Sequence, residues 1–222
     1  MKCAIMQPTY LPWLGYFDLI RSVDVFVILD HVQFEKRSWQ QRNRILTKNG
    51  VLYLTVPVIT KSKFFQPIST VEIDQTQKFQ SKHMGSILNA YSKKSNTHLL
   101  ADIEKIFDKK QTLLADLNMD FIRWGMELMG LNARIARSSE LAVEGNKVEA
   151  LIDICKKVGC DQYLSPLGSA GYIEENNLFG QMGIELTYQN YDHPTYDQGH
   201  EPFESHLSFI DYIFSGDFKP GK

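Results

Sequence analysis

A carboxylate and an imidazole follow the most apolar segment of the sequence. Asp30 and His31 come directly after the run 25–29, in which every residue is apolar. A carboxylate can act as a general base or anchor a substrate ammonium group, and an imidazole can act as acid or base. We therefore predict that Asp30 and His31 are catalytic. The alternative is a capped strand end with a solvated histidine.

The segment 36–44 is the one clear cationic cluster of the sequence. Arg42 carries a forked guanidinium that suits phosphate or carboxylate, and we predict that it is a third catalytic residue. Trp39 can stack on a base or a sugar, and Gln33 and Asn43 are expected to orient the substrate. A solvated basic loop is the alternative for this segment.

The turn 7–16 joins the first apolar run to the first helical pattern. Ligands of parallel sheets sit beyond the carboxyl ends of the strands, where a helix N-terminus favours phosphate or carboxylate. Gln7 and Tyr10 are predicted to point into that crevice. Trp13 and Tyr16 are predicted to stack on a substrate ring, with packing between helix and sheet as the alternative.

Three later loops give weaker signals. Ser138 and Ser139 follow the short apolar run 133–136, where serines bind phosphate or cap a turn. The loop that begins at Ser165 contains glycines but matches no phosphate-binding fingerprint. The segment 192–198 contains aspartate and histidine at spacings that match no standard zinc site, so we predict no metal.

The elements that must position these side chains alternate between strand and helix patterns. The run 25–29 is typical of a central parallel strand covered on both faces. The pattern predicts an α/β fold, a mostly parallel doubly wound sheet with a helical insertion over about 77–130, in a single domain over 1–222. Strands are predicted at 3–6, 25–29, 51–57, 70–74, 162–164 and 184–188, and helices at 146–158, 172–182 and 206–214.

Composition excludes some functions. The 222 residues include 24 Lys and Arg and 26 Asp and Glu, which gives a net charge of −2. Bulk charge therefore does not favour binding to nucleic acid, and no nucleic-acid partner is expected. No apolar run approaches the ~20 residues of a membrane helix, which predicts no membrane span. The three cysteines form no CxxC pair, which favours a reducing, cytoplasmic location.

Short motifs rich in aromatic, proline and polar residues recur along nearly the whole sequence. They are QPTYLPWLGYF at 7–17, DVFV at 24–27, DHVQF at 30–34, RN at 42–43, GCDQYLS at 159–165, GY at 171–172 and HPTYDQ at 193–198. In these motifs the chain resembles the WbqC-like protein family. That family occurs in bacterial gene clusters that build O-antigen and other surface polysaccharides, and some members are proposed to transfer glycine to an amino sugar.

This resemblance implies further substrate contacts from the later motifs. It also implies an acidic residue at position 31, where this chain has His31. A fainter likeness connects 13–16 with the HIGH-type nucleotidyltransferases, although both histidines of their His-x-Gly-His signature are missing here. The substrate-binding residues implied by the later motifs are Tyr163, Ser165, His193, Tyr196 and Gln198.

Together these signals predict a transferase that moves a small acyl or aminoacyl group, such as glycyl, onto a nucleotide-activated amino sugar. The donor would be a thioester, an aminoacyl-tRNA, or an acyl phosphate or adenylate made from ATP, and the sequence does not choose among them. In this hypothesis Arg42 holds phosphate or carboxylate while Asp30 accepts the proton of the attacking amine. The alternative is a non-catalytic protein that binds a nucleotide-sugar or glycan for partner enzymes.

Overall fold

The computed structural model describes residues 1–169 and 177–219, which divide into two compact units. The first, here the sheet unit, is built from Met1–Gln7, Gly15–His31 and Leu131–Asp192. The second, here the helical unit, is built from Pro8–Leu14, Val32–Gly130 and His193–Lys222. Each unit thus combines three separate stretches of chain. The single domain expected over 1–222 stays a prediction.

Strands and short helices alternate along much of the chain. The strands are β1 (Lys2–Met6), β2 (Val25–Ile28), β3 (Arg42–Thr47), β4 (Gly50–Thr55), β5 (Arg134–Arg137), β6 (Gln162–Ser165) and β7 (Glu185–Tyr188). The helices are α1 (Leu14–Arg21), α2 (Phe79–Tyr91), α3 (Leu100–Asp108), α4 (Leu114–Leu128), α5 (Val148–Val158), α6 (Leu178–Gln181) and α7 (Phe209–Ile213).

The sheet unit contains five strands among its described residues, in the order β5-β2-β1-β6-β7, and every neighbouring pair is parallel. All four residues of β2 are buried, which confirms the central strand predicted from its continuous apolar run. The α/β fold with a parallel sheet is therefore confirmed. The strand order reverses between β1 and β6, and such a reversal is where open parallel sheets bind ligands.

Helix α5 covers one face of this sheet. Its residues Leu151, Ile152 and Cys155 belong to the same buried core as the apolar side chains of β1 and β2. The helix ends at Gly159, whose φ of +76° is the left-handed conformation that glycine adopts without strain. The helix predicted over 146–158 begins at Val148, and Lys147 occupies the cap position without a side-chain hydrogen bond.

The helical unit contains the mid-chain helices α2, α3 and α4, in agreement with the helical segment predicted over about 77–130. The strand predicted at 51–57 exists as β4, but it pairs antiparallel with β3 in a hairpin instead of joining the parallel sheet. The strand predicted at 70–74 does not form, because this segment makes only isolated bridges, such as Val58 with Ile73. The predictions over 172–182 and 206–214 correspond to the shorter α6 and α7, and 172–176 lies outside the described residues.

Candidate functional site

Two neighbouring strands of the sheet unit deliver polar residues to one place. The last residues of β2 and β5 pair directly in the parallel ladder. The residues that follow each strand therefore emerge side by side at the carboxyl edge of the sheet. Asp30 and His31 follow β2, and Ser138 and Ser139 follow β5. The structure brings these four residues, predicted from separate motifs, into hydrogen-bond contact.

Asp30 is the buried centre of this cluster, with 0% of its surface exposed. Its Oδ1 accepts the backbone N–H of Ser139 at 2.9 Å and the Ser138 hydroxyl at 3.2 Å. Its Oδ2 accepts Nε–H of Arg137 at 2.7 Å and the Ser139 hydroxyl at 3.0 Å. A buried carboxylate requires such donors because it has lost its water. When the Ser138 hydroxyl points to Asp30, the four donors occupy the lone pairs of Asp30, an arrangement suited to positioning its neighbours.

His31 is half-buried beside this carboxylate. Its Nδ1 lies 2.7 Å from Oγ of Ser138. Loss of water lowers the pKa of His31, and the charge of Asp30 opposes that shift. The imidazole is therefore neutral at pH 7. Its Nε2 has no hydrogen-bond partner among residues 1–169 and 177–219, so this nitrogen is available to a ligand.

Ser138 joins the imidazole to the carboxylate. Its Oγ accepts the backbone N–H groups of Asp30 and His31 at 2.9 and 3.3 Å, which leaves one hydroxyl hydrogen to donate. When Ser138 donates to Asp30, Nδ1–H of His31 donates to Oγ in place of the longer 3.3 Å contact from the His31 backbone. This tautomer leaves a lone pair on Nε2, the form of a general base. Donation to Nδ1 of His31 leaves N–H on Nε2, the form of a general acid. The orientation of the Ser138 hydroxyl thus sets the tautomer of His31.

The strand-order reversal lies between the ends of β1 and β6. Gln7 follows β1, and its backbone carbonyl accepts the hydroxyl of Tyr16 at 3.2 Å. Ser165 ends β6 and is fully buried. The rings of Tyr16 and Tyr163 are also fully buried and pack on phenylalanine rings of the same unit, with centroids 5.1 and 5.2 Å apart. These surroundings match the packing alternative that the sequence leaves open for Tyr16.

Tyr10 and Asn43 lie in the interior of the helical unit. The hydroxyl of Tyr10 is 2.8 Å from Nδ1 of His83, and burial lowers the pKa of His83 to about 4. Asn43 is buried, and its Nδ2 donates to the carbonyl oxygens of Tyr10 and Leu11 at 3.2 and 2.7 Å. Tyr10 and Asn43, both predicted to bind substrate, thus make contacts that fix the path of the chain.

Tyr196 and Gln198 surround a buried carboxylate of the helical unit, Asp211. Its Oδ2 accepts the Tyr196 hydroxyl at 3.0 Å and Nε2–H of Gln198 at 2.9 Å, while its Oδ1 accepts the hydroxyl of Tyr91 at 2.8 Å. Burial raises the pKa of Asp211, and these three donors oppose the shift. The hydrogen bonds connect the C-terminal segment to α2, which is a structural task.

Trp13 and His193 form a more open aromatic cluster in the helical unit. The two rings are nearly parallel, at 8°, with centroids 6.4 Å apart, and the exposed ring of His206 lies 5.1 Å from Trp13. The backbone N–H of His206 donates to Nε2 of His193 at 3.1 Å. Burial lowers the pKa of His193, which keeps its ring neutral. Both Trp13 and His193 are half-buried and retain accessible surface.

Arg42 belongs to a row at the β3–β4 hairpin in which two stacked rings lie between two cations, here the cation–aromatic ladder. The guanidinium of Arg42 lies 5.0 Å from the ring centre of Tyr53, and that of Arg44 lies 5.8 Å from Trp39. Trp39 and Tyr53 stack at 6.5 Å, and each is 49% exposed. Among the described residues, the guanidinium of Arg42 has no hydrogen-bond or carboxylate partner, so it can receive an anion.

The WbqC-like protein family matches residues 7–219 of this chain. The chain belongs to that family. A relative from Mycobacterium tuberculosis (strain ATCC 25618 / H37Rv), the uncharacterized protein Rv1507c, is 34% identical over 217 residues. The alignment covers 96% of this chain and 93% of the relative. No solved structure gave a significant match.

Sequence reasoning missed two residues of the site in this WbqC-like protein. Arg137 pairs with Asp30, and its position at the end of β5 could have identified it. Gln189 follows β7, and its Nε2 donates to the carbonyl oxygen of Gly15 at 2.9 Å and to Oδ2 of Asp18 at 2.7 Å, which holds the start of α1. Both follow the rule that polar residues at carboxyl ends of parallel strands line a site.

The remaining predictions for the WbqC-like chain concern Gln33, the motif 171–172, a membrane span and a metal site. Gln33 is exposed, and its Nε2 donates to the carbonyl oxygens of Phe34 and Phe64 at 3.2 and 3.1 Å. The motif 171–172 lies outside the described residues. Every helix within 1–169 and 177–219 is too short or too polar to traverse a bilayer. The same residues contain no group of three or more His, Cys, Asp or Glu side chains that could hold a metal ion, and the absence of a metal stays a prediction.

Proposed function

We propose that this WbqC-like protein is a transferase of surface-polysaccharide (O-antigen) biosynthesis. It moves a small acyl or aminoacyl group, with glycyl as the first candidate, onto the amino group of a nucleotide-activated amino sugar. Family membership supports the biosynthetic context. The hydrogen-bonded series His31–Ser138–Asp30 at the carboxyl edge of the sheet supports the chemistry, and it is the observation that carries the proposal.

The reaction requires an activated donor and one proton transfer. The amine nitrogen bonds to the carbonyl carbon of the donor, the bond from that carbon to the leaving group breaks, and the leaving group departs with its electron pair. The amine loses one proton, which Nε2 of His31 accepts. A well-placed general base contributes roughly 10²–10⁴ to the rate. A leaving group that needs a proton receives it from the same nitrogen.

In this proposal Asp30 positions the base and His31 is the base. The four donors around Asp30 favour this assignment over the one made from the sequence, since they leave its oxygens no lone pair for substrate. When His31 becomes an imidazolium, its Nδ1–H donates to Ser138 and the Ser138 hydroxyl donates to Asp30. The carboxylate then stabilises the new positive charge through one intervening hydroxyl.

Turnover with purified protein tests the proposal. Candidate donors, including glycyl-tRNA, acyl-CoA and glycine with ATP and magnesium, are combined with nucleotide-linked amino sugars, and mass spectrometry detects the amide. We expect His31→Gln to lower kcat roughly 10²–10⁴-fold. Ser138→Ala should shift the acidic limb of the pH–rate profile, because the coupling to Asp30 is lost. His98→Gln, at an exposed histidine, is the matched control. Full activity in His31→Gln would refute the assignment.

The cation–aromatic ladder favours a second candidate, a non-catalytic protein that binds a nucleotide-sugar or glycan. Exposed rings beside a cation that has no anionic partner suit a sugar or base that carries phosphate. Here Trp39→Ala and Arg42→Ala should each weaken binding of a nucleotide-sugar in calorimetry, while no donor is consumed. Turnover that requires His31 would exclude this candidate.

A further inference from the structure

Two adjacent phenylalanines project from the loop between β4 and α2. Phe64 is 87% exposed and Phe65 is 93% exposed, the highest values for large apolar side chains in the described residues. Single exposed apolar residues are common, but two neighbouring aromatic rings in water mark a surface that meets something apolar. Neither ring makes an aromatic or cation contact with a described residue.

Hydrogen bonds on both sides hold this loop in place. The backbone N–H of Lys63 donates to the carbonyl of Thr60 at 3.2 Å, and the carbonyl of Phe64 accepts Nε2–H of Gln33 at 3.1 Å. The carbonyl of Gln66 accepts the backbone N–H of Phe34 at 2.8 Å, and the Gln66 side chain is buried. The backbone around the two rings is thus anchored to the helical unit while the rings point away from it.

Cations lie close in sequence to the two phenylalanines, or in the segment hydrogen-bonded to their loop, in a chain whose net charge is −2. Lys61 is exposed in the same loop, and Lys36 and Arg37 are exposed in the segment bonded to it. Nζ of Lys63 forms a salt bridge with Oε1 of Glu72 at 3.2 Å. Residues 33–37 and 60–72 together contain four cations and two carboxylates, so these two segments carry a net charge of +2. Aromatic rings with a cationic border are complementary to the interface of an anionic bilayer.

We propose that the Phe64–Phe65 loop is a membrane-docking element. Its two rings insert at the boundary between headgroups and acyl chains, while Lys61, Lys36 and Arg37 contact anionic headgroups. Two exposed rings on one anchored loop suit insertion into a bilayer better than docking on a protein surface, because two rings alone do not form a broad flat apolar patch. The proposal rests on the helical unit alone and holds whichever function the protein has.

Sedimentation with sucrose-loaded vesicles tests this docking. The full chain is mixed with vesicles of equimolar phosphatidylglycerol and phosphatidylcholine, or of phosphatidylcholine alone. We expect binding to the anionic vesicles that weakens as salt is added. The double variant Phe64→Ser/Phe65→Ser should bind at least about tenfold more weakly, given the transfer free energy of two rings. Lys61→Gln should weaken binding about fivefold on anionic vesicles only.

A double variant at exposed apolar residues elsewhere, Leu88→Ser/Met182→Ser, is the matched control and should bind like the unmodified protein. All variants change exposed side chains, so their unfolding midpoints should agree, and this is checked first. The proposal fails if the unmodified protein stays in the supernatant with anionic vesicles, or if Phe64→Ser/Phe65→Ser binds as well as the control. It also fails if the phenylalanines affect only self-association in sedimentation velocity, which would identify a second copy of the chain as the occupant.

Discussion

The burial of His83 makes the free energy of unfolding depend on pH in a way that can be calculated. Burial holds the pKa of His83 at about 4, against 6.5 for a free histidine. The unfolded chain therefore binds the proton more readily than the folded chain. The stabilising contribution is fully present above about pH 6.5 and is lost as the pH falls toward 4. At 1.36 kcal/mol for each pKa unit, the loss is about 3 kcal/mol.

The variant His83→Gln isolates this contribution, because glutamine is polar and does not titrate. Urea denaturation of both proteins at pH 7 and at pH 4 gives four free energies of unfolding. We expect the unmodified protein to lose about 3 kcal/mol more than His83→Gln between these pH values. His98→Gln, at an exposed histidine, should follow the unmodified protein at both. Equal losses in His83→Gln and the unmodified protein would refute the argument that burial keeps His83 neutral.

Two further predictions concern stability and are measured by the same denaturation. Gly159→Ala should lower the free energy of unfolding by about 1–2 kcal/mol, because φ is +76° at this position. Gly85→Ala, inside α2, should raise it by about 0.5–1 kcal/mol. A change of the same sign in both free energies would contradict the backbone argument. Asp211→Asn should cost about 1–3 kcal/mol, since one amide oxygen replaces two carboxylate oxygens that accept three hydrogen bonds. An unchanged midpoint in Asp211→Asn would show that this network does not stabilise the C-terminal segment.

Local patterns predict the parallel sheet well because they report burial directly. The run 25–29 is apolar at every position, as a strand covered on both faces must be. The antiparallel pairing of β3 with β4 was not predicted, because a strand pattern does not indicate which strand it pairs with. The sequence does carry a hairpin signal, Asn49-Gly50, at the turn from β3 into β4.

The candidate site was predictable in position but not in detail. The rule that parallel strands end at one edge of a sheet predicts polar residues after each strand, as Asp30 and Ser138 are, but it does not predict that β2 and β5 are neighbours. The occupation of the Asp30 oxygens could not be predicted, because their donors lie more than 100 residues away. The roles of Tyr10 and Tyr196 could not be predicted either, because the sequence does not distinguish an aromatic residue that packs in the interior from one that binds a ligand.

The interleaving of the two units bears on how the nascent chain folds during translation. β1 pairs with β2 almost at once, but its other neighbour, β6, begins only at Gln162. At elongation rates of roughly 5–20 residues per second, the ribosome needs on the order of ten seconds to supply that strand. During this time one edge of β1 is open to other chains, a known route to aggregation. We therefore expect the protein to fold mainly after synthesis with help from chaperones, and truncations before residue 162 to be insoluble.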